Sequence, residues 1–202
     1  MKVLVLLANG FEEVEVVTQV DFLRRAGVTV VTASIGNDLM VTGNFNIPVK
    51  ADALLSEVNS DDFDMVVLTG SAKGMENLNG SKEVKELLIE YNEKEKWIAA
   101  ICAAPKVLGI LGLLKGKKAI CYPGFEDSLI GAEITQEDVV LDGKIITSRG
   151  PAASTKFALK LIEVLCGKEK SIEIGTKTLF YKWKLIMNKG TRGTMIMMEE
   201  LI

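Results

Sequence analysis

The chain has 202 residues, a formal net charge of −3 and no histidine, and 48% of its residues are hydrophobic. That length and apolar content suit one globular domain burying about 70% of its unfolded surface, and the mild acidity gives no general attraction to nucleic acid or to an anionic membrane. Without histidine there is no Ser-His-Asp triad, no Cys-His dyad and no His-ligated metal, so any general base is a carboxylate, Lys, Tyr or Cys.

Taken in order, Val3 to Leu7 is a continuous apolar run of the kind buried on both faces of a parallel sheet. Acidic residues follow it with no signal-cleavage pattern, so it is expected to be a first strand and not a signal peptide. After Asn9-Gly10-Phe11, the acidic turn Glu12-Glu13-Val14-Glu15 opens a helix whose apolar face is Val16, Val17, Val20 and Leu23 and which closes at Ala26-Gly27. Val28 to Ala33 then completes a βαβ unit. Residues 36–60 carry turn formers around short extended pieces and read as a peripheral excursion. Asp64 to Leu68 is another buried strand, followed by the loop Thr69-Gly70-Ser71-Ala72-Lys73-Gly74 and a helix from about Ser81.

Trp97 to Ile101 is a short buried strand that runs into Cys102-Ala103-Ala104-Pro105, with a proline suited to a first helical turn. Small residues at Ala100 and Ala104 flank the cysteine as they flank the nucleophile in the hydrolase elbow G-x-S-x-G. A strand-to-helix corner directs the following backbone N–H groups, Ala103 first, at the sulfur, and the helix dipole is expected to favour thiolate over thiol. Beyond it, Lys118 to Cys121 is a short strand, Asp142-Gly143 marks a hairpin between Val139–Leu141 and Lys144–Thr147, and Pro151 opens a long helix ending at Gly167. From Lys168 the texture changes to a Lys-rich segment with Tyr181 and Trp183, then a Met-rich end at Met195, Met197 and Met198. The expected organisation is a domain over 1–167 and an extension over 168–202 that packs on it or on a partner subunit. No run approaches the roughly 18 apolar residues of a membrane span.

In a parallel sheet the C-terminal strand ends share one edge, so loops 9–15, 69–79 and 102–105 are expected to converge there. The chemistry this supports is a Cys102 nucleophile, a carboxylate from Glu12, Glu13 or Glu15, and an oxyanion pocket of N–H groups near Gly70 and Ser71. The residues alone do not choose among the three glutamates. Cys121 and Cys166 are expected in the core, and Arg149 is expected to fix the turn before the last helix. The three cysteines are an odd number with no C-x-x-C spacing, which supports neither a disulfide framework nor a zinc knuckle and fits a reducing cytoplasm.

Three separated phrases, Ala8 to Glu15, Ala99 to Pro105 and Thr147 to Pro151, resemble the ThiJ/PfpI superfamily in its DJ-one-like, Parkinsonism-associated deglycase branch, over Met1 to about Gly167. The resemblance implies a flavodoxin-like α/β three-layer sandwich with a mostly parallel sheet and an antiparallel edge hairpin, commonly dimeric, here a homodimer. It maps the carboxylate that hydrogen-bonds the cysteine onto Glu15, and the oxyanion glycine pair onto Gly70 and Ser71. Two positions depart from the pattern: Ser71 adds a side chain where the pair has a second glycine, and Tyr122 stands where many relatives carry histidine. With Ala103 directly after the nucleophile, a His-assisted peptidase mechanism is not supported. The implied activity is cofactor-free and metal-free conversion of methylglyoxal or glyoxal to hydroxy acids, or repair of early glycation adducts, in the manner of a glyoxalase III or deglycase. The alternatives are a redox sensor in which Cys102 is oxidised to a sulfinate, and, more weakly, a holdase that uses the Met-rich tail.

Overall fold

The structure, a computed structural model, describes residues 1–185 and 195–201, with side chains described through Tyr181. Trp183 and the methionines of the tail, to which a subunit-contact or holdase role was assigned, therefore lie outside the described side chains.

The frame is a seven-stranded sheet. It begins with β1 (Lys2–Leu7), whose run from Val3 to Leu7 is fully buried, as expected of a strand covered on both faces. On one side β1 pairs in parallel with β2 (Thr29–Ser34), Val3 opposite Val30, after the helix α1 (Glu13–Arg25). The excursion that follows forms an antiparallel hairpin, β3 (Met40–Thr42) with β4 (Pro48–Lys50), and then adds β5 (Ala53–Leu54) to the sheet beside β2, a strand too short to carry a periodic signal.

On the other side of β1 lies β6 (Met65–Leu68), Val3 opposite Met65. The chain continues through α2 (Ala72–Gly80) and α3 (Lys82–Glu93) to β7 (Trp97–Ile101) and α4 (Pro105–Ile110). The short strands β8 (Lys118–Ala119) and β9 (Glu133–Ile134) pair with each other in parallel. Then β10 (Val139–Asp142) and β11 (Ile145–Ser148) form the antiparallel edge, with β11 parallel to β7. The strand order is β10-β11-β7-β6-β1-β2-β5. Because β1 to β2 and β6 to β7 step in opposite directions, right-handed crossovers put α1 and the α2–α3 pair on opposite faces. The result is the expected flavodoxin-like three-layer α/β arrangement.

Three readings of the sequence are corrected. The stretch from Ala72 is a helix and not a loop: the Ser71 hydroxyl caps it by accepting from the Gly74 N–H at 2.9 Å. The long helix expected from Pro151 ends at Gly167 as expected, but it begins later and is not the last. Pro151–Ala153 forms a 3-10 turn before α5 (Ser154–Cys166), and Gly167, at φ +91, turns the chain into α6 (Lys168–Lys177), whose Ser171 hydroxyl donates to the Leu159 carbonyl at 2.8 Å. Cys166 is exposed at the end of α5 and not in the core, whereas Cys121 is buried as expected. The last position of an amphipathic helix rotates off the buried stripe.

One glycine inside a helix ties this frame to the functional edge. Gly109 of α4 packs flush on the loop that carries Tyr122: a Cβ there would overlap the Ser128 carbonyl oxygen and lie 2.7 Å from the Leu129 Cα. In an exposed helix interior, Gly→Ala stabilises by up to about 1 kcal/mol. Here overlap with backbone outweighs propensity, and Gly109→Ala is expected to destabilise the fold by about 1–3 kcal/mol in denaturant unfolding; a stabilised variant would show that α4 does not seat on residues 128–129.

Candidate active site

The nucleophile position is made by backbone constraint. Cys102 follows β7 at φ +65, in the left-handed region that costs a non-glycine residue roughly 1–3 kcal/mol. Its N–H donates to the Ser148 carbonyl at 2.9 Å and its own carbonyl accepts from the Tyr122 N–H at 2.7 Å. The flanking Ala100 and Ala104 are fully buried, so the corner closes only with small side chains at both places.

Cys102 is 6% exposed, and the backbone N–H groups of Ser71 and Ala103 face its sulfur. Gly70 lies directly against it: a Cβ there would stand 2.5 Å from the Cys102 Cβ and 2.9 Å from Sγ. Only glycine fits. Ser71 takes the left-handed region as well, at φ +72, and its hydroxyl is committed elsewhere, donating to the Gly10 carbonyl and accepting from Gly74. The side chain added at this position therefore serves the cap and the neighbouring loop, and the N–H is left to the sulfur.

Glu15, in the first turn of α1, is fully buried. Its Oε2 accepts from the Gly70 N–H at 2.6 Å, and the carboxyl faces the Cys102 thiol. Burial pushes the carboxyl up to about 7; the Gly70 N–H and the Cys102 contact oppose this, and the charge of Glu12 adds to it. The Cys102 thiol is pushed up to about 12, first by burial and then by the Glu15 charge, with the Ser71 and Ala103 N–H groups pulling the other way. The expected preference for thiolate is thus reversed while Glu15 is ionised. The helix after the corner has only six residues and starts at Pro105, three positions on, so two N–H groups face a carboxylate and a dry pocket, and the latter prevail.

The other two glutamates are elsewhere. Glu13 is buried and its Oε1 accepts from the Phe45 N–H at 2.6 Å, pinning the turn of the β3–β4 hairpin. Glu12 precedes α1, with its carboxyl raised by burial and by Glu13. Tyr122 is half exposed, with its ring over Gly150, where a Cβ would lie 3.2 Å from Cδ2. Arg149 pairs with Asp138 at 3.2 Å, and Asp138 also binds Lys156, which joins the turn to α5. So Cys102, Glu15, Gly70, Ser71 and Ala103 meet at one place, with Tyr122 at its rim. Sequence reasoning passed over Ser148 and the Gly10 carbonyl. The signal for Ser148 was its register, one residue past Thr147 at the end of the strand that pairs with β7. Among the described residues no group of His, Cys, Asp or Glu side chains could hold a metal ion, and no helix is long and apolar enough to cross a membrane.

The model of the DJ-1/PfpI family matches residues 1–164. Protein dj-1beta of Drosophila melanogaster is 40% identical over 173 residues, 85% of this chain and 92% of its own length. Deglycase PH1704 of Pyrococcus horikoshii is 33% identical over 167 residues, 82% of this chain and 99% of its own. Protein DJ-1 homolog B of Arabidopsis thaliana is 41% identical over 175 residues, but this chain spans only 40% of that relative's length, and 46% of homolog A of the same plant. Among solved structures, oxidized Toxoplasma gondii DJ-1 superposes with a TM-score of 0.85 at 41% identity, covering 88% of this chain and 97% of that one.

The raised carboxyl has a consequence for stability. Between the ordinary value of 4.5 and about 7, the folded protein holds a proton on Glu15 that the unfolded chain has released. The stability this contributes is complete below about pH 4.5 and is lost as pH rises through 7, amounting to about 3 kcal/mol. Thermal unfolding of wild type is therefore expected to fall relative to Glu15→Gln across that window; parallel curves would mean that Glu15 titrates as an exposed carboxylate does.

Proposed function

The chain belongs to the DJ-1/PfpI family, and on that premise we propose that it is a cofactor-independent cysteine enzyme acting on small reactive aldehydes. The observation that carries this reading is a single thiol in contact with one buried carboxyl whose proton affinity lies near neutral pH. The substrates are methylglyoxal or glyoxal, or an early glycation adduct, and the existence of a relative named as a deglycase supports the second.

In the proposed cycle the Cys102 sulfur bonds to the aldehyde carbon, while the thiol proton passes through Glu15 to the carbonyl oxygen, giving a hemithioacetal. The N–H groups of Ser71 and Ala103, already on the sulfur, stabilise negative charge at the reacting centre. Glu15 then removes the proton from the former aldehyde carbon and returns one to the adjacent carbon through an enediol. The carbon on sulfur is oxidised and its neighbour reduced, with no external electron acceptor. Water cleaves the thioester to the hydroxy acid and restores the thiol. Tyr122 contributes a hydroxyl at the rim for substrate. We place the enzyme in the cytoplasm and assign it a homodimer, supported by the exposed apolar side chains Val14 and Val17 on α1 beside Phe45 and Ile47 on the hairpin that Glu13 pins.

A second reading is favoured by the same two N–H donors. They and the Glu15 carboxyl suit a Cys102 sulfinate, formed as two peroxide equivalents are reduced to water, in a protein that senses oxidation without turnover. Purified protein separates the two. Methylglyoxal loss is expected to fall at least about 10³-fold in Cys102→Ala and about 10²–10⁴-fold in Glu15→Gln. Normal turnover in both variants would remove the enzymatic reading. Oxidation of Cys121 or Cys166 ahead of Cys102 under mild peroxide, read by mass spectrometry, would remove the second.

A further inference from the structure

Four buried side-chain oxygens around the inner end of the site make no hydrogen bond of ordinary geometry among the described residues: Glu15 Oε1, Gln19 Oε1, Thr69 Oγ1 and Ser154 Oγ. They belong to one neighbourhood. Glu15 and Gln19 are both fully buried and stand one turn apart on α1, so their side chains share a face. That face meets the head of α5, where Gln19 Nε2 donates to the Ser154 carbonyl at 3.2 Å. Thr69 precedes Gly70, whose N–H holds the other oxygen of Glu15.

Leaving a buried oxygen unpaired costs the desolvation of that group, and folded proteins meet the need with internal water where the walls are polar. Gln19 and Ser154 already touch through the amide nitrogen and the Ser154 carbonyl, so their two unpaired oxygens stand at one place. We propose that Gln19, Ser154 and Thr69, together with Glu15, form an internal water-binding site that supplies the buried carboxyl with a hydrogen-bond donor beyond the Gly70 N–H and the Cys102 thiol. Gln19 is then a positioning residue, acting on the chemistry only through Glu15. The inference rests on Glu15 as the partner of Cys102 and is independent of aldehyde turnover.

The titratable groups facing Glu15 are Glu12, the residue just before its helix, and Cys102 from the corner. The Thr69–Ser71 loop and the head of α5 bring uncharged groups, and Lys156, the first charge on α5, is bound to Asp138. Water donating to the ionised carboxyl holds its titration midpoint below where burial alone would put it.

The test follows the infrared carbonyl band of protonated Glu15, identified by its loss in Glu15→Gln, against pH. Gln19→Met, which keeps the volume and removes the polar atoms, and Ser154→Ala are each expected to raise the midpoint by about one pH unit. Ser154→Thr, which keeps a hydroxyl, is expected to leave it in place. A high-resolution crystal structure of the wild-type protein is expected to show an ordered water within hydrogen-bond distance of both Gln19 Oε1 and Ser154 Oγ. Unmoved midpoints in folded Gln19→Met and Ser154→Ala overturn the proposal. So does a direct hydrogen bond from Ser154 Oγ to Gln19 Oε1 with no water between, which the wild-type structure settles even if a variant fails to fold. Shifted midpoints without methylglyoxal turnover leave the water site standing and the proposed activity refuted; turnover with unmoved midpoints does the reverse.

Discussion

A carboxyl group buried in van der Waals reach of a thiol is the constraint around which this structure is arranged. Glu15 has no access to solvent, and one of its oxygens is held by a single backbone N–H, that of Gly70. The same glycine is the only residue that fits against the sulfur, so the element that anchors the acid also seats the nucleophile. With both groups removed from water, two negative charges are unaffordable side by side, and the pair keeps a proton between them near neutrality. Acid and nucleophile are in this sense one functional group assembled from two distant segments of the chain at one edge of the sheet.

The fold positions that pair through topology. Strands β1, β6 and β7 are neighbours in the sheet although the chain visits them far apart, and their C-terminal ends deliver the α1 entry, the Gly70–Ser71 turn and the Cys102 corner to one edge. β11 completes the edge, since its Ser148 carbonyl receives the Cys102 N–H. The unfavourable backbone conformations at Ser71 and Cys102 are tolerated because hydrogen bonds from β11, from Tyr122 and from the 8–11 loop over-determine both.

Much of this was legible in the sequence. Continuous apolar runs announced the parallel strands, Asp142-Gly143 announced the edge hairpin, and Ala100-Ile101-Cys102-Ala103-Ala104 announced the corner, because each is a local pattern with one structural solution. What escaped depends on contacts between distant segments. The capping of α2 by Ser71 needs the Gly10 carbonyl and Gly74 in place. β5 is too short to show a period. The choice of Glu15 over Glu12 and Glu13 follows from which side of the first turn of α1 meets the Gly70 loop, and periodicity alone does not separate three acids within four positions. The preference for thiol escapes for a related reason: a helix dipole can be read from sequence, whereas the dryness of a pocket and a carboxylate delivered by a distant helix cannot.

The backbone of Cys102 is tied on both sides, its N–H to Ser148 and its carbonyl to Tyr122, and neither tie involves the sulfur. The course of the chain through the corner is therefore set by main-chain bonds alone, and exchanging the side chain there, as in Cys102→Ala, takes away the reactive atom while both fasteners stay in place.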